Sequence, residues 1–243
     1  MQVKEYSIPL HIQSNRIFLR PVIRTLFHIL GRVRVFGAEN VLLGKPYVIA
    51  INHISIFDPP LAVSFWPEQP EVIGAADVFS KKGQGQLLTM YGVIPVHRGD
   101  YDRALLEKIL VILKSGRPLL LAPEGGRSHV PAMRRAMPGI GYIIEHAQVP
   151  VLPVGLVGTT DDFWQRSKLY FRNRVGTMWQ GRYERPELEM RIGKPIQFPL
   201  ITKKGAERRE ARQQNADLVM RYIAGLLPEE YHGVYAGQAI SPA

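Results

Sequence analysis

The spacing of apolar and polar positions divides this chain into short elements of changing period. Residues 33–36, 47–51, 71–75, 93–96, 119–122, 151–157 and 188–192 are short apolar or alternating runs bounded by glycine, proline or charge, and they predict strands. Between and after them, residues 61–65, 78–90, 101–114, 139–146 and 206–226 place apolar residues at helical spacing and predict helices. Strands alternating with helices imply an α/β fold: a mixed, largely parallel sheet flanked by helices. Ligands of such folds sit beyond the carboxyl ends of the strands. His53, Arg98, Glu124 and Arg127 each follow a predicted strand.

Residues 14–30 have a different pattern. Arg16, Arg20, Arg24 and His28 recur every four residues, one basic stripe on a helix that is otherwise broadly apolar, with Phe18 and Phe27 among the apolar positions. The pattern predicts an N-terminal amphipathic membrane-binding element, in which arginine stems reach anionic headgroups and Phe18 and Phe27 enter the acyl boundary. An ordinary helix packed on the domain has the same periodicity, and Pro21 threatens to kink or divide it. The chain is accordingly divided into a membrane-associating segment, residues 1–32, and one further domain, residues 33–243.

Lysine and arginine outnumber aspartate and glutamate by 31 to 21, a formal charge of +10 that favours anionic partners. Residues 160–186 interleave that charge with aromatic residues, including Trp164, Arg166, Lys168, Tyr170 and Arg172. This suits nucleic acid or an anionic lipid surface, and equally a solvated face over a few core aromatics. The absence of cysteine excludes disulfides and thiolate chemistry. No apolar run reaches the roughly 20 residues of a spanning helix, and no secretory signal is evident, so a peripheral position at the cytoplasmic face is expected.

The candidate chemistry begins after the second predicted strand, where His53 and Asp58 stand five positions apart. Imidazole is the usual base near neutral pH, and a nearby carboxylate fixes its tautomer and stabilises the imidazolium. Asp58 before Pro59 also has the form of a helix N-cap, a role compatible with orienting His53. No serine lies in a Gly-x-Ser-x-Gly elbow, which leaves a substrate hydroxyl as a candidate for activation by His53. No histidine and carboxylate cluster has metal-ligand spacing.

Three more segments follow in order: Tyr91-Gly92-Val93-Ile94-Pro95-Val96-His97-Arg98, Ala122-Pro123-Glu124-Gly125-Gly126-Arg127-Ser128 and Val149-Pro150-Val151-Leu152-Pro153-Val154-Gly155. With the segment around His53 they resemble the four sequence blocks of the glycerolipid acyltransferase family, typified by 1-acylglycerol-3-phosphate acyltransferases. The resemblance covers residues 33–200 and implies the glycerol-3-phosphate acyltransferase-like fold. It implies that His53 deprotonates the acceptor hydroxyl and that Asp58 orients it, with no acyl-enzyme. It assigns Arg98, Glu124 and Arg127 to the glycerol phosphate, with Gly125 and Gly126 shaping their loop and Asn52 supporting the geometry beside His53 in the substrate site. Threonine is commoner in the family where Gly126 stands, which loosens the acceptor assignment. Backbone N–H groups near Gly92 and Val93 are expected oxyanion donors. The implied co-substrate is acyl-CoA or acyl carrier protein, with no further cofactor, and the implied acceptor is a lysophospholipid on an anionic membrane. Of the acceptors, 1-acylglycerol 3-phosphate leads; glycerol 3-phosphate, lysocardiolipin-type, ornithine-lipid and glycolipid acceptors use the same blocks. A noncatalytic lipid-binding relative and a nucleic-acid-binding protein are the rival classes. The His53 and Asp58 pair argues against the first, and only charge supports the second.

Overall fold

A computed structural model describes residues 6–97, 102–175 and 184–241. The described residues form seven strands and seven α-helices. The strands are β1 (Arg32–Phe36), β2 (Val48–Ile51), β3 (Glu71–Ala75), β4 (Ile94–Val96), β5 (Leu119–Leu121), β6 (Val151–Val157) and β7 (Glu187–Ile192). They make one sheet in the order β1-β7-β6-β2-β5-β3-β4, parallel at every pairing except β6 with β7. All seven match the runs read from periodicity.

The two-residue repeat of a strand sends alternate side chains to opposite faces, and β2 shows the result. Val48 and Ala50 join one core; Ile49 and Ile51 join the other. The first core is closed by α4 (Arg103–Lys114), α5 (Gly139–Ala147) and α7 (Gly205–Ala224), through residues such as Ile109, Ile144 and Ile223. The second is closed by α1 (Leu10–Leu30) and α2 (Asp58–Phe65), through Phe27, Leu61 and Phe65. With both faces covered, all four residues of β2 are buried, as expected of a strand inside a parallel sheet.

The stretch 78–90 is not one helix. A 3-10 turn over Ala76–Ser80 gives way at Gly83, which has φ +80°, to α3 (Gln84–Tyr91). Residues 160–186 contain a helix that periodicity did not reveal, α6 (Phe163–Val175). Among its described side chains only Phe163 and Ser167 are buried, too few to impose a repeat.

The N-terminal helix runs unbroken through Pro21, which sits on its exposed side. Its orientation reverses the expected one. Arg16 is fully buried and donates Nη1 and Nη2 to the two carboxylate oxygens of Glu71 at 2.8 and 2.7 Å, and its Nε to Tyr91 O. Arg20 donates to the carbonyls of Val63 and Trp66; Arg24 lies over the Phe65 ring, 5.0 Å from its centre. Phe27 is buried between Phe65 and Phe163. The first half of the basic stripe therefore faces the protein, where Glu71 and backbone carbonyls satisfy Arg16 and Arg20, so Arg16, Arg20 and Phe27 are not membrane ligands, while Arg24 and His28 are exposed. Leu10, Ile17, Phe18, Val22, Leu26 and Ile29 face outward instead. α1 shares the second core, so the division at residue 32 separates an element with its own surface, not an independently buried unit. None of the described helices is long and apolar enough to cross a membrane.

Candidate active site

Three adjacent parallel strands, β5, β2 and β6, deliver the site at their carboxyl ends. β2 ends at Ile51, and Asn52 follows it into the interior. Its side-chain amide donates to Leu156 O at 3.0 Å and accepts from Leu156 N at 2.7 Å, extending the β2–β6 ladder beyond its last backbone rung. Both polar atoms are thus committed and buried. Asn52 braces the loop and does not face a substrate.

His53 comes next, with its Nδ1 3.0 Å from Asp58 Oδ2 and its side chain 19% exposed. The same oxygen accepts the backbone N–H groups of Ile54 and Ser55, each at 2.7 Å. Thr159 Oγ1 donates to the other oxygen, Oδ1. A carboxylate surrounded by donors requires the proton of the imidazole to be on Nδ1, which leaves Nε2 as the basic nitrogen. Asp58 is the first residue of α2 and does not cap it; Phe57 occupies the cap position without a side-chain bond. The carboxylate reaches back to Ile54 and Ser55, closing the loop that carries His53.

The loop after β5 holds His53 from both sides. Glu124 Oε1 accepts the His53 N–H at 2.8 Å, and Ser128 N–H donates to His53 O at 2.8 Å. Glu124 Oε2 accepts the Arg134 N–H at 2.7 Å. Burial pushes the Glu124 carboxyl up to about 7, against the opposing effect of the two backbone hydrogen bonds. With its side chain buried and both oxygens engaged by backbone, Glu124 is a brace between two loops, in place of the substrate contact expected of it. Gly125 turns this loop at φ +65°, where a Cβ would lie 2.7 Å from Met137 Cγ; Gly126 is buried behind it.

Arg127 is half-buried, and its Nη1 lies 3.0 Å from Asp161 Oδ1. Arg98 lies outside the described residues. The expected oxyanion donors are otherwise occupied: Gly92 caps α3 by donating to Leu88 O and Thr89 O, and the Val93 N–H donates to Leu88 O. Among the described residues no group of three histidine, cysteine or carboxylate side chains is arranged to hold a metal ion.

The arrangement is that of a base fixed by a buried acid at the strand ends, and comparison with known proteins gives it a family. Residues 32–157 match the family model described as Acyltransferase. The chain belongs to the acyltransferase family. Its glycerolipid character agrees with the relatives found. It is 25% identical over 165 residues to 1-acyl-sn-glycerol-3-phosphate acyltransferase alpha of Bos taurus, a match spanning 66% of this chain and 58% of the bovine protein. It is 25% identical over 144 residues to the 1-acyl-sn-glycerol-3-phosphate acyltransferase of Bacillus subtilis (strain 168), covering 58% of this chain and 70% of that one. A shorter match, 33% identical over 138 residues, relates 54% of the chain to 25% of lysophospholipid acyltransferase LPCAT4 of Homo sapiens. The crystal structure of the 1-acyl-sn-glycerophosphate acyltransferase PlsC from Thermotoga maritima has the same fold, with a TM-score of 0.55 at 20% identity over 86% of this chain and 78% of that one.

Within this acyltransferase fold, the reading of the fourth block as a core strand left out Thr159 and Asp161. The rule that pointed to His53 and Glu124, a residue just past the carboxyl end of a central parallel strand, applies equally to Thr159, two residues beyond β6.

Proposed function

We propose that this chain transfers a fatty acyl group from the thioester of coenzyme A or acyl carrier protein to the free hydroxyl of a lysophospholipid, foremost 1-acylglycerol 3-phosphate, to give phosphatidic acid. The observation that carries the reading is the His53 imidazole fixed through Nδ1 by buried Asp58. No nucleophile of the same loop wall competes for it: Ser128 is buried, its N–H spent on His53 O and its hydroxyl facing Val130 N. The hydroxyl is then the acceptor's. Its oxygen attacks the thioester carbonyl as His53 Nε2 takes its proton, and Asp58 stabilises the imidazolium. The tetrahedral intermediate expels the thiolate, which recovers the proton from Nε2, leaving an ester and a free thiol. Arg127 would offer its planar guanidinium to the acceptor phosphate in exchange for Asp161.

The outward face of α1 supports a peripheral membrane position. Leu10, Ile17, Phe18, Val22, Leu26 and Ile29 are exposed on one helix, large apolar side chains of the kind lipid covers. Arg16 is buried and Arg20 half-buried, so electrostatic attraction falls to exposed Arg24 on α1 and to exposed Arg166, Lys168 and Arg172 on α6, which meets α1 through the rings of Phe163 and Phe27.

Incubating the purified protein with labelled acyl-CoA or acyl carrier protein and a panel of lysolipids, then resolving the products, tests the reaction. Labelled phosphatidic acid is expected, and His53→Ala should lose about a hundredfold or more of turnover. No ester from any acceptor would overturn the reading; ester formed only with another acceptor would reassign the substrate. For the membrane, Phe18→Asp with Leu26→Asp changes exposed positions and leaves Arg16 and Phe27 in the core. It should abolish flotation with anionic vesicles, and undiminished flotation would reject α1 as the contact.

A further inference from the structure

We propose that Thr159 is a positioning residue of the reaction: its hydroxyl holds the oxygen of Asp58 that His53 does not touch, and so sets the plane in which the carboxylate holds the imidazole. Asp58 is fully buried. Three of its donors, His53 Nδ1, Ile54 N and Ser55 N, converge on Oδ2. They engage one oxygen and leave the other without a donor from this loop, while the terminal torsion of an aspartate, which turns both oxygens about Cβ–Cγ, is soft. Thr159 Oγ1 donates to Oδ1 and removes that freedom. Without the hydroxyl, Oδ1 would be a buried acceptor lacking its donor, and rotation to share the donors of Oδ2 would carry the ring of His53 with it.

The fold holds Thr159 as firmly as it holds His53. β6 lies beside β2 in parallel register, Ile51 opposite Val154, so the residues past their carboxyl ends meet. Gly158 turns the chain at φ +86°, where a Cβ would stand 2.1 Å from Glu187 O; no other residue fits. Its N–H donates to the Tyr231 hydroxyl at 3.1 Å, which ties the turn to the 3-10 turn Glu229–Tyr231 near the end of the chain. Thr159 itself is fully buried, away from solvent that could replace its hydroxyl. It acts through Asp58 and does not touch the reacting atoms.

The rate assay rests on the acyl-transfer reading; a resonance assay does not. Thr159→Val keeps the shape and removes the donor, Thr159→Ala only removes atoms, and Thr159→Ser keeps the donor. Turnover at saturating substrates should fall roughly 10- to 100-fold in the Val and Ala variants, the scale of one buried hydrogen bond to a charged group. KM for donor and acceptor should stay within about twofold, and Ser should restore turnover to within about threefold, since the site is reassembled rather than the substrate contact changed. In a His53→Ala background the Val substitution should have no further effect, because Thr159 works only through the dyad. The low-field proton resonance of His53 Nδ1 should move in the Val and Ala variants and return in Ser. The proposal is overturned if Ser is as impaired as Ala, if Val loses as much in the His53→Ala background as alone, or if the resonance is unmoved. Should Val fail to fold, the Ala and Ser pair decides. Should the wild-type protein form no ester with any lysolipid, the acyl-transfer reading falls, and the resonance comparison still decides the role of Thr159.

Discussion

Asparagine at position 58 separates the charge of the dyad from its shape. Oδ2 of Asp58 faces three donors, so the amide oxygen of asparagine must take that place and its Nδ2 must take the place of Oδ1. There it meets Thr159 Oγ1, whose hydroxyl can turn and accept, so four hydrogen bonds remain geometrically possible. What disappears is the negative charge beside the imidazolium that the proposed mechanism forms as His53 takes the acceptor's proton. With Nδ1 3.0 Å from the carboxylate oxygen, the charge centres lie about 4 Å apart, and at an effective dielectric of about 20 their attraction is about 4 kcal/mol. Removing it should slow the acyl-transfer step by about a thousandfold. Single-turnover measurement with saturating labelled donor and lysolipid, beside a thermal melt by circular dichroism, reads rate and fold separately. Stability should change by less than about 1 kcal/mol, since no donor is orphaned. A folded Asp58→Asn protein that keeps more than about a tenth of its turnover would refute the argument and leave Asp58 as a loop support alone.

Arg16→Met should cost roughly 3 to 5 kcal/mol in urea unfolding, because it leaves buried Glu71 with the half-buried Arg117, 3.1 Å away, and the Tyr6 hydroxyl in place of its buried bidentate partner; adding Glu71→Leu should recover most of the loss. A single-variant loss below about 1 kcal/mol would show that this pair does not anchor α1. Glu124 is raised by burial from 4.5 to about 7, so between these values the folded protein keeps a proton that the unfolded chain has released. Its stabilising contribution is complete below about 4.5, declines as pH rises to about 7 and is lost above, a total of roughly 3 kcal/mol; Glu124→Gln should remove that slope from melts taken between about pH 5 and 8, and parallel curves would contradict it. Asp161→Asn breaks a partly exposed pair, so the melting temperature should hold, while the KM for a phosphate-bearing acceptor should fall about two- to fivefold and that for the acyl donor should not. Equal changes for both substrates would remove Asp161 as a competitor for Arg127.

The sequence by itself determined the seven strands, most of the helices and the family. Strand and helix repeats are local: the direction of each side chain follows from its own backbone, so the seven strands were readable from runs such as 47–51 and 151–157, and the five-residue spacing of His53 and Asp58 placed a base and an acid in one loop. The four blocks then made the family legible. What the tertiary structure decided was which group each side chain meets. The arginines of α1 form the same stripe whether they face headgroups or protein; Glu71, 55 residues along the chain from Arg16, holds that arginine inside and leaves Phe18 and Leu26 outside. Asn52 and Glu124 have the composition of substrate ligands, and only the neighbouring Leu156, His53 and Arg134 backbones show them spent as braces. Thr159 had only its place past the end of β6 to mark it, because its donor is directed at a carboxylate 101 residues away that lies beside it only once β6 pairs with β2. A buried polar group must find a partner wherever the fold provides one, and periodicity along the chain holds no record of which partner that is.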